Sequence, residues 1–224
     1  MTFGKKVIEF YKELSPPAAM PPDVDTLFPY TDPQVMDIVS QFHSTYFNDH
    51  QPRTFLIGIN PGRLGGGLTG IPFTDPINLE NRLGISNSFD KKHELSSRFI
   101  YHMIDSMGGP KFFYQHFYFT SVSPVGFVKH GKNLNYYDVP DLAEQLENYM
   151  VDSLRQQVAF GARPVAYSLG QGKNIKALED LNNRYHLFEE ITPLPHPRWV
   201  MQYRLKRLDD YIQEYKNKLT RALE

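Results

Sequence analysis

The sequence predicts an α/β fold of three layers, in which helices cover both faces of a central, mainly parallel, four-stranded sheet. Short apolar runs rich in β-branched and aromatic residues alternate with longer segments of helical spacing. This alternation is typical of strand–helix–strand units that build a parallel sheet. Loops rich in glycine, proline or polar residues follow the predicted strands. Functional sites in such sheets gather beyond the carboxyl ends of the strands, so these loops are the candidates for function.

Four apolar runs are predicted strands, since each is short and is bounded by residues that favour turns. They are RTFLIGI at 53–59, FYFTSV at 117–122, PVAYSL at 164–169 and the segment 187–191.

Six segments with helical spacing or with helix start and stop signals are predicted helices. The helices cover 3–14, 33 to about 47, 94–107, 141–160, the segment from 173 to 181, and 199–223.

The chain is predicted to be a single domain over 1–224, with residues 1–52 as a helical extension packed on it.

The composition is that of an ordinary globular chain, with 41% hydrophobic and 22% charged residues. There is no cysteine, which excludes disulfides, thiolate metal sites and a cysteine nucleophile. The formal net charge of -1 argues against a polybasic nucleic-acid binder. It is compatible with an enzyme that acts on nucleic acid, because only the field at the site must be positive.

Neither a leader nor a membrane segment is predicted. The first residues, MTFGKKVIEFYKEL, lack the apolar core of a signal peptide, and no apolar run is long enough to span a membrane. A cytoplasmic location without a membrane partner is therefore expected, and the chain is separately expected to be a monomer. The histidines show no HxH or HxxxH spacing, so neither a metal nor a cofactor is predicted.

The loop after the first strand, GINPGRLGGGLTGIPF, contains a formal GxGxxG from Gly65 to Gly70. A dinucleotide site needs such glycines to open a helix directly, whereas Pro72 disfavours helix at the residue before it. A small-nucleotide enzyme is therefore the least favoured function. A pocket is the better interpretation, in which Asn60 holds a water and Phe73 offers a flat apolar face for stacking. The alternatives are that Asn60 only caps a turn and that Phe73 belongs to the core.

The same loop resembles the G-M-N-P-G…T-G-V-P-F signature of the single-strand-selective monofunctional branch of the uracil-DNA glycosylase superfamily. The resemblance implies the fold of that superfamily. It also implies that Asn60 positions the attacking water and that Phe73 stacks on a flipped base. Further residues of the loop expected to bind the base are Gly58, Pro61, Gly62 and Gly70.

The segment after the second strand carries a second match. Gly131-Lys132-Asn133-Leu134 resembles the G-[RK]-N-L of the family and implies that Lys132 and Asn133 contact DNA. The family places its base-reading asparagine where Ser121 stands here. Serine has a shorter reach and a single rotating hydroxyl. Ser121 is expected to contact the base, but the resemblance supports the fold and reaction type more strongly than it supports uracil.

The loop after the fourth strand carries the third match. LPHPR at 194–198 resembles the family's H-P-S-P-R with two residues missing. The resemblance implies that His196 donates to the base carbonyl that gains negative charge, and that Arg198 fills the gap left by the flipped base. Trp199 is an alternative for that gap, since aromatic planes stack on bases. A proline-flanked His196 that merely packs a turn is the structural alternative.

Gly172 and Lys173 precede a helix after the third strand. Free backbone amides and a lysine at such a place suit a DNA phosphate. An ordinary strand-to-helix turn is the alternative.

With the resemblance, the sequence predicts a monofunctional DNA glycosylase of base-excision repair. Such an enzyme hydrolyses the N-glycosidic bond of uracil or a related damaged base and leaves an abasic site. Asn60 and His196 are the predicted catalytic residues, and single-stranded DNA or damaged duplex is the predicted partner. A non-catalytic or redirected nucleic-acid-binding protein on the same fold is the alternative.

Overall fold

The computed structural model describes residues 1–223, with residue 140 described by its backbone alone. The strands are β1 (Asp25–Leu27), β2 (Arg53–Gly58), β3 (Phe117–Ser121), β4 (Gly126–Lys129), β5 (Lys132–Leu134), β6 (Ala162–Leu169) and β7 (Glu190–Leu194). The helices are α1 (Phe3–Glu13), α2 (Pro33–Tyr46), α3 (Gly66–Thr69), α4 (Pro76–Asn81), α5 (Leu95–Ser106), α6 (Pro110–His116), α7 (Pro140–Val158), α8 (Lys173–Tyr185), α9 (Pro197–Tyr203) and α10 (Leu208–Arg221).

The central sheet has the strand order β3-β2-β6-β7, and each neighbouring pair is parallel. The predicted three-layer α/β/α fold with a four-stranded sheet is confirmed. The register pairs Gly58 with Ser121 at the ends of β2 and β3, and Leu169 with Leu194 at the ends of β6 and β7. The loops that follow these strands therefore leave the sheet along the same edge.

A second sheet was not predicted. It is antiparallel, has the order β1-β4-β5, and pairs Asp25 with Val128 and Phe127 with Leu134. Its strand β1 lies between α1 and α2, so the segment 1–52 contains a short strand besides the two helices predicted there. The sheet brings the residues around Asn133 beside the loop after β2, where the backbone N–H of Arg63 donates to Asn133 Oδ1 at 3.2 Å.

The predicted fourth strand was placed too early in the chain, at 187–191 rather than Glu190–Leu194. Pro193 lies inside the observed strand and pairs in register with Ser168. A proline disfavours a central strand because it removes a ladder donor, but β7 is at the edge of the sheet, where proline is tolerated.

The predicted terminal helix 199–223 is two helices, α9 and α10, separated by a 3₁₀ turn at Leu205–Arg207. Each helix buries its own apolar pair, Val200 with Met201 in α9 and Tyr215 with Leu219 in α10. Residues 202–207 between these pairs are exposed. No side chain of this stretch is buried, Tyr203 and Leu205 included, so core packing does not hold it in one continuous helix.

The N-terminal segment is joined to the sheet through Arg53, which is fully buried. Its guanidinium lies over the rings of Phe3 and Phe47, at 5.3 and 5.5 Å from their centroids, and pairs with Asp49 at 2.7 Å. Its Nε donates to the carbonyl of Tyr114 at 2.9 Å. A buried charge needs such partners. These contacts support the interpretation of one domain, whose last residue, 224, lies outside the described range.

None of the helices described between residues 1 and 223 is long and apolar enough to cross a membrane.

Candidate active site

A cavity of about 100 Å³ lies beyond the carboxyl ends of β2, β3 and β7. One water needs roughly 10–15 Å³ of such space, so the cavity can admit a ring-sized group. All three loops that resemble the glycosylase family contribute to its wall. The lining residues are Ile59, Asn60, Pro61, Gly62, Gly66, Pro72, Phe73, Glu94, Ser96, Ser121, Asn133, Asn135, His196 and Arg198.

The loop after β2 is held in shape by Thr69, which is fully buried. Its hydroxyl donates to the carbonyl of Thr74 at 2.8 Å and accepts from the backbone N–H of Ile71 at 3.2 Å. In this loop Phe73 adopts a left-handed backbone with a φ of 55°. Such a conformation is strained for a bulky residue and persists only where the surrounding contacts hold it. The fold therefore sets the position of the Phe73 ring.

The ring of Phe73 lies over Gly58, at the end of β2, and packs against Phe119 with ring centroids 5.4 Å apart. A Cβ atom at Gly58 would lie 2.7 Å from Cζ of Phe73 and 3.5 Å from Oγ of Ser121. Only glycine leaves room for the ring at this place. The floor of the cavity is thus a flat apolar face with the buried Ser121 hydroxyl beside it.

We expect Gly58→Ala to lower kcat/KM about tenfold or more, because the added methyl displaces the Phe73 ring. Overpacking of this kind also costs about 1–3 kcal/mol of stability. Urea unfolding and steady-state kinetics would measure the two effects. The stability loss should shrink when Gly58→Ala is combined with Phe73→Leu, whose shorter side chain relieves the overlap. An equal loss in both backgrounds would contradict this explanation.

Asn60 joins the loop after β2 to the segment after β5. Its Nδ2 donates to the carbonyl of Leu134 at 3.1 Å, and its Oδ1 accepts from the backbone N–H of Tyr136 at 3.2 Å. These partners lie 74 and 76 residues along the chain, so the side chain does not merely cap its own turn. The amide is fixed in orientation and retains one proton and one lone pair for a water in the cavity.

His196 is the N-cap residue of α9, and its Nδ1 accepts from the backbone N–H of Arg198 at 3.1 Å. The proton of the neutral ring is therefore on Nε2, which is free to donate. Burial, together with the nearby charge of Arg198, lowers the pKa of His196 to about 4. At neutral pH the ring is thus an uncharged donor, suited to an oxygen that gains negative charge.

The structure divides the other predicted residues between the cavity and its surroundings. Pro61, Gly62, Asn133 and Arg198 line the cavity, whereas Lys132 is exposed in β5 and lies outside the lining.

Gly70 was expected to bind the base, but the structure does not bring it into the cavity. It ends α3 with a φ of 76°, and a Cβ atom there would lie 2.6 Å from Val35 and 2.9 Å from Val39 of α2. The left-handed backbone and this close approach explain the glycine.

A second cavity adjoins the first and shares Ile59 and His196 with it. Gly172 and Trp199 line it, and Trp199 is 38% exposed and packs edge-on against Tyr211. Nζ of the exposed Lys173 lies 5.9 Å from the centroid of the Tyr137 ring, which also lines this cavity. The residues predicted to contact DNA phosphate and to fill the duplex gap therefore adjoin the candidate active site.

Glu94 is not among the predicted site residues, yet it lines the first cavity. It is the N-cap residue of α5, but its side chain makes no capping hydrogen bond. Burial, reinforced by Asp75 and opposed by Arg198, raises the pKa of Glu94 to about 7. In the sequence it shows only an acidic residue ahead of an apolar helix, which is the common charge preference of a helix start.

The raised pKa of Glu94 predicts a pH-dependent cost to stability. Between its ordinary value of 4.5 and about 7 the folded state binds more protons than the unfolded state, so stability falls as pH rises through this window. We expect Glu94→Gln, which cannot ionise, to be more stable than the wild type at about pH 8.5 by about 1–3 kcal/mol.

Urea unfolding of both proteins at about pH 5 and about pH 8.5 would measure this effect, and the change between the two pH values isolates ionisation from packing. A stability difference that is the same at both pH values would contradict the prediction.

Within residues 1–223, no group of three or more histidine, aspartate or glutamate side chains is arranged to hold a metal ion.

Comparison with known proteins assigns the family. Residues 44–220 match the family model described as the uracil DNA glycosylase superfamily. The crystal structure of wild-type SMUG2 from Pedobacter heparinus is similar to this chain with a TM-score of 0.95 and 40% sequence identity, over 98% of this chain and 97% of that one. No curated protein matches the chain. The resemblance in the sequence is confirmed, together with the DNA glycosylase function in base-excision repair that it implies. The chain belongs to the uracil-DNA glycosylase superfamily.

Proposed function

We propose that this glycosylase removes uracil or a related damaged base from DNA, and that Asn60, Phe73 and His196 carry the reaction. The observation that supports the proposal is the meeting of these three side chains in one cavity, although they come from loops far apart in the sequence. An amide, an aromatic face and an imidazole in a ring-sized space match the needs of one flipped nucleobase.

Binding begins when the base leaves the stack, at a cost of a few kcal/mol. The base stacks on Phe73, and Ser121 contacts its edge. Arg198, with Trp199 beside it, fills the space that the base leaves in the DNA. The backbone amide of Gly172 and the side chain of Lys173 hold a DNA phosphate. Lys132 and Asn133 contact DNA on the other side of the cavity.

The bond breaks between the sugar and the base, and the departing base becomes an anion. Nε2–H of His196 donates to the base oxygen that gains the charge, and such a preorganised donor contributes roughly 3–4 kcal/mol. Asn60 directs a water to the sugar carbon. No lysine is among the described residues that line the cavity, so no amine is placed to form a covalent intermediate. The product is an abasic site without strand cleavage.

Ser121 decides how selectively the base edge is read. A hydroxyl rotates and can either donate or accept, whereas an asparagine amide presents a fixed donor and a fixed acceptor. The pocket therefore tolerates more than one arrangement of donors and acceptors on the base. We propose activity on oxidised or deaminated bases beside uracil.

A screen of base release tests the proposed function. Oligonucleotides that carry uracil, hydroxymethyluracil, hypoxanthine or xanthine, in single and double strands, are incubated with the wild type and with Asn60→Ala. Release of at least one base by the wild type alone is the expected result. Binding of abasic DNA without any release would instead identify a nucleic-acid-binding protein. The monomeric state and the cytoplasmic location stay predictions.

A further inference from the structure

Glu94 is the one carboxyl group among the described residues that line the cavity. Its carboxyl group packs against the backbone of the loop that carries Asn60. A Cβ atom at Gly62, two residues after Asn60, would lie 2.8 Å from Oε1 of Glu94, and one at Gly65 would meet Oε2. The two glycines thus make the space that the carboxyl group occupies.

The oxygens of the Glu94 carboxyl group are available to accept a hydrogen bond or a proton. Within residues 1–223 its oxygens take part in no hydrogen bond or ion pair, although the residue is held in place through its backbone N–H, which donates to Asp75 Oδ2 at 2.9 Å. Asp75 is itself fully buried and caps α4 by accepting from the backbone N–H of Asn78 at 2.8 Å. The Asp75 carboxylate thus accepts from backbone N–H groups and holds the local structure, whereas the carboxyl group of Glu94 lines the cavity.

When water bonds to the sugar carbon C1′ it gives up a proton, and a neighbouring group with a basic lone pair speeds the step by accepting that proton. The amide of Asn60 can orient a water but has no basic lone pair to receive its proton. The ring of His196 accepts a hydrogen bond through Nδ1 and carries its proton on Nε2, and its pKa of about 4 makes it a weak base. The guanidinium of Arg198 offers only donors and no acceptor.

We propose that Glu94 is the general base of the reaction and accepts the proton of the water that Asn60 orients. This inference rests on the proposed function of the site. In the step, the bond between the sugar carbon C1′ and the base nitrogen breaks, and its electron pair leaves with the base. The water oxygen bonds to C1′, and one water proton passes to the Glu94 carboxylate. Solvent later protonates the base anion and takes the proton from Glu94.

The charges around Glu94 suit this role. The buried Asp75 accepts from the backbone N–H of Glu94, and Nδ1 of His93 lies 3.6 Å from the Asp75 carboxylate. Arg198, which is exposed, and His196 line the same cavity as Glu94. Burial and Asp75 raise the pKa of Glu94 to about 7, and Arg198 opposes them. A general base is most effective when its pKa is near the working pH.

Single-turnover base release, measured from about pH 5 to about pH 9 on uracil in single-stranded DNA, tests the inference. For the wild type the rate should rise with pH and level off above about pH 7, because only the ionised carboxylate accepts a proton. Glu94→Gln should lose that rise and be about 10²-fold slower at about pH 8. Glu179→Gln, an exposed carboxyl group on α8, is the matched control and should behave as the wild type.

A second variant separates chemistry from folding. Glu94→Ala should regain part of its rate with added formate, whose carboxylate fits the space left by the side chain, whereas Asn60→Ala should not. Glu94→Gln that keeps the wild-type rise with pH, or that is slower by one factor at every pH, overturns the inference. A wild type that releases no base at any pH overturns the proposed function as well.

Discussion

Replacing Asn60 with alanine should slow base release by about 10²- to 10³-fold in single-turnover measurements, which report the chemical step. A reacting group that is misplaced by about 1 Å already costs about 10²-fold. The Asn60 amide is held by Leu134 and Tyr136 at 3.1 and 3.2 Å, so its remaining proton and lone pair point in fixed directions. Alanine removes both and leaves the water free to rotate.

The variant also loses two hydrogen bonds to backbone groups, so its stability should fall by about 1–3 kcal/mol. Asn182 is a matched control for this part of the effect. Its Nδ2 donates to the carbonyl of Phe188 at 3.0 Å, and its Oδ1 accepts from the N–H of the same residue at 2.8 Å, in α8 and outside the cavity.

Asn182→Ala should therefore lose similar stability and keep its activity, with both quantities measured by urea unfolding and by base release. If Asn60→Ala is no slower than Asn182→Ala, Asn60 has only a structural role.

The part of the site that follows directly from parallel-sheet geometry could be predicted from the sequence. Asn60 and His196 come after apolar strands and Ser121 ends one, and the carboxyl ends of such strands lie on one edge of the sheet. Local glycine and proline patterns marked the loops, and the loops carried the family resemblance. The strand order itself was not needed to place these residues near one another.

The parts that depend on long-range contacts could not be predicted. Strands β1 and β5 have three residues each, which is too short for a period-two pattern, and β1 pairs with residues about a hundred positions away. The contact between the β5 segment and the Asn60 amide could therefore not be predicted. Glu94 shows the same limit, because its local pattern is that of a helix start and only the packing of α5 brings it to Gly62.

Gly70 was expected to bind the base, but it does not line the cavity. The family signature includes it, but its glycine is explained by a left-handed backbone against Val35 rather than by contact with a base. A residue in a functional motif can thus be required for the shape of the loop alone.

Replacing His196 with asparagine should slow base release by about 10²- to 10³-fold with little loss of stability. That factor is typical for the removal of one preorganised donor to a developing anion. Asparagine is a good N-cap residue, so its oxygen can still accept from the backbone N–H of Arg198 and α9 keeps its start. The side chain is shorter than histidine and does not carry a donor to the position of Nε2.

His196→Ala is the comparison, since it removes the donor and the cap together. It should be as slow as His196→Asn but less stable, by about 1 kcal/mol in urea unfolding. Equal stability of the two variants would show that the Nδ1 contact does not cap the helix. A rate for His196→Asn near that of the wild type would show that the ring does not stabilise the departing base.

The protonation state of the His196 ring can be tested separately from its contribution to the rate. With a pKa of about 4, His196 stays neutral through the physiological range, so its contribution comes from a hydrogen bond and not from a positive charge. An NMR titration of the imidazole should therefore show no protonation until the pH falls to about 4. Protonation near the ordinary value of 6.5 would instead mean that the donor is a cation, and the base anion would then leave as one half of an ion pair.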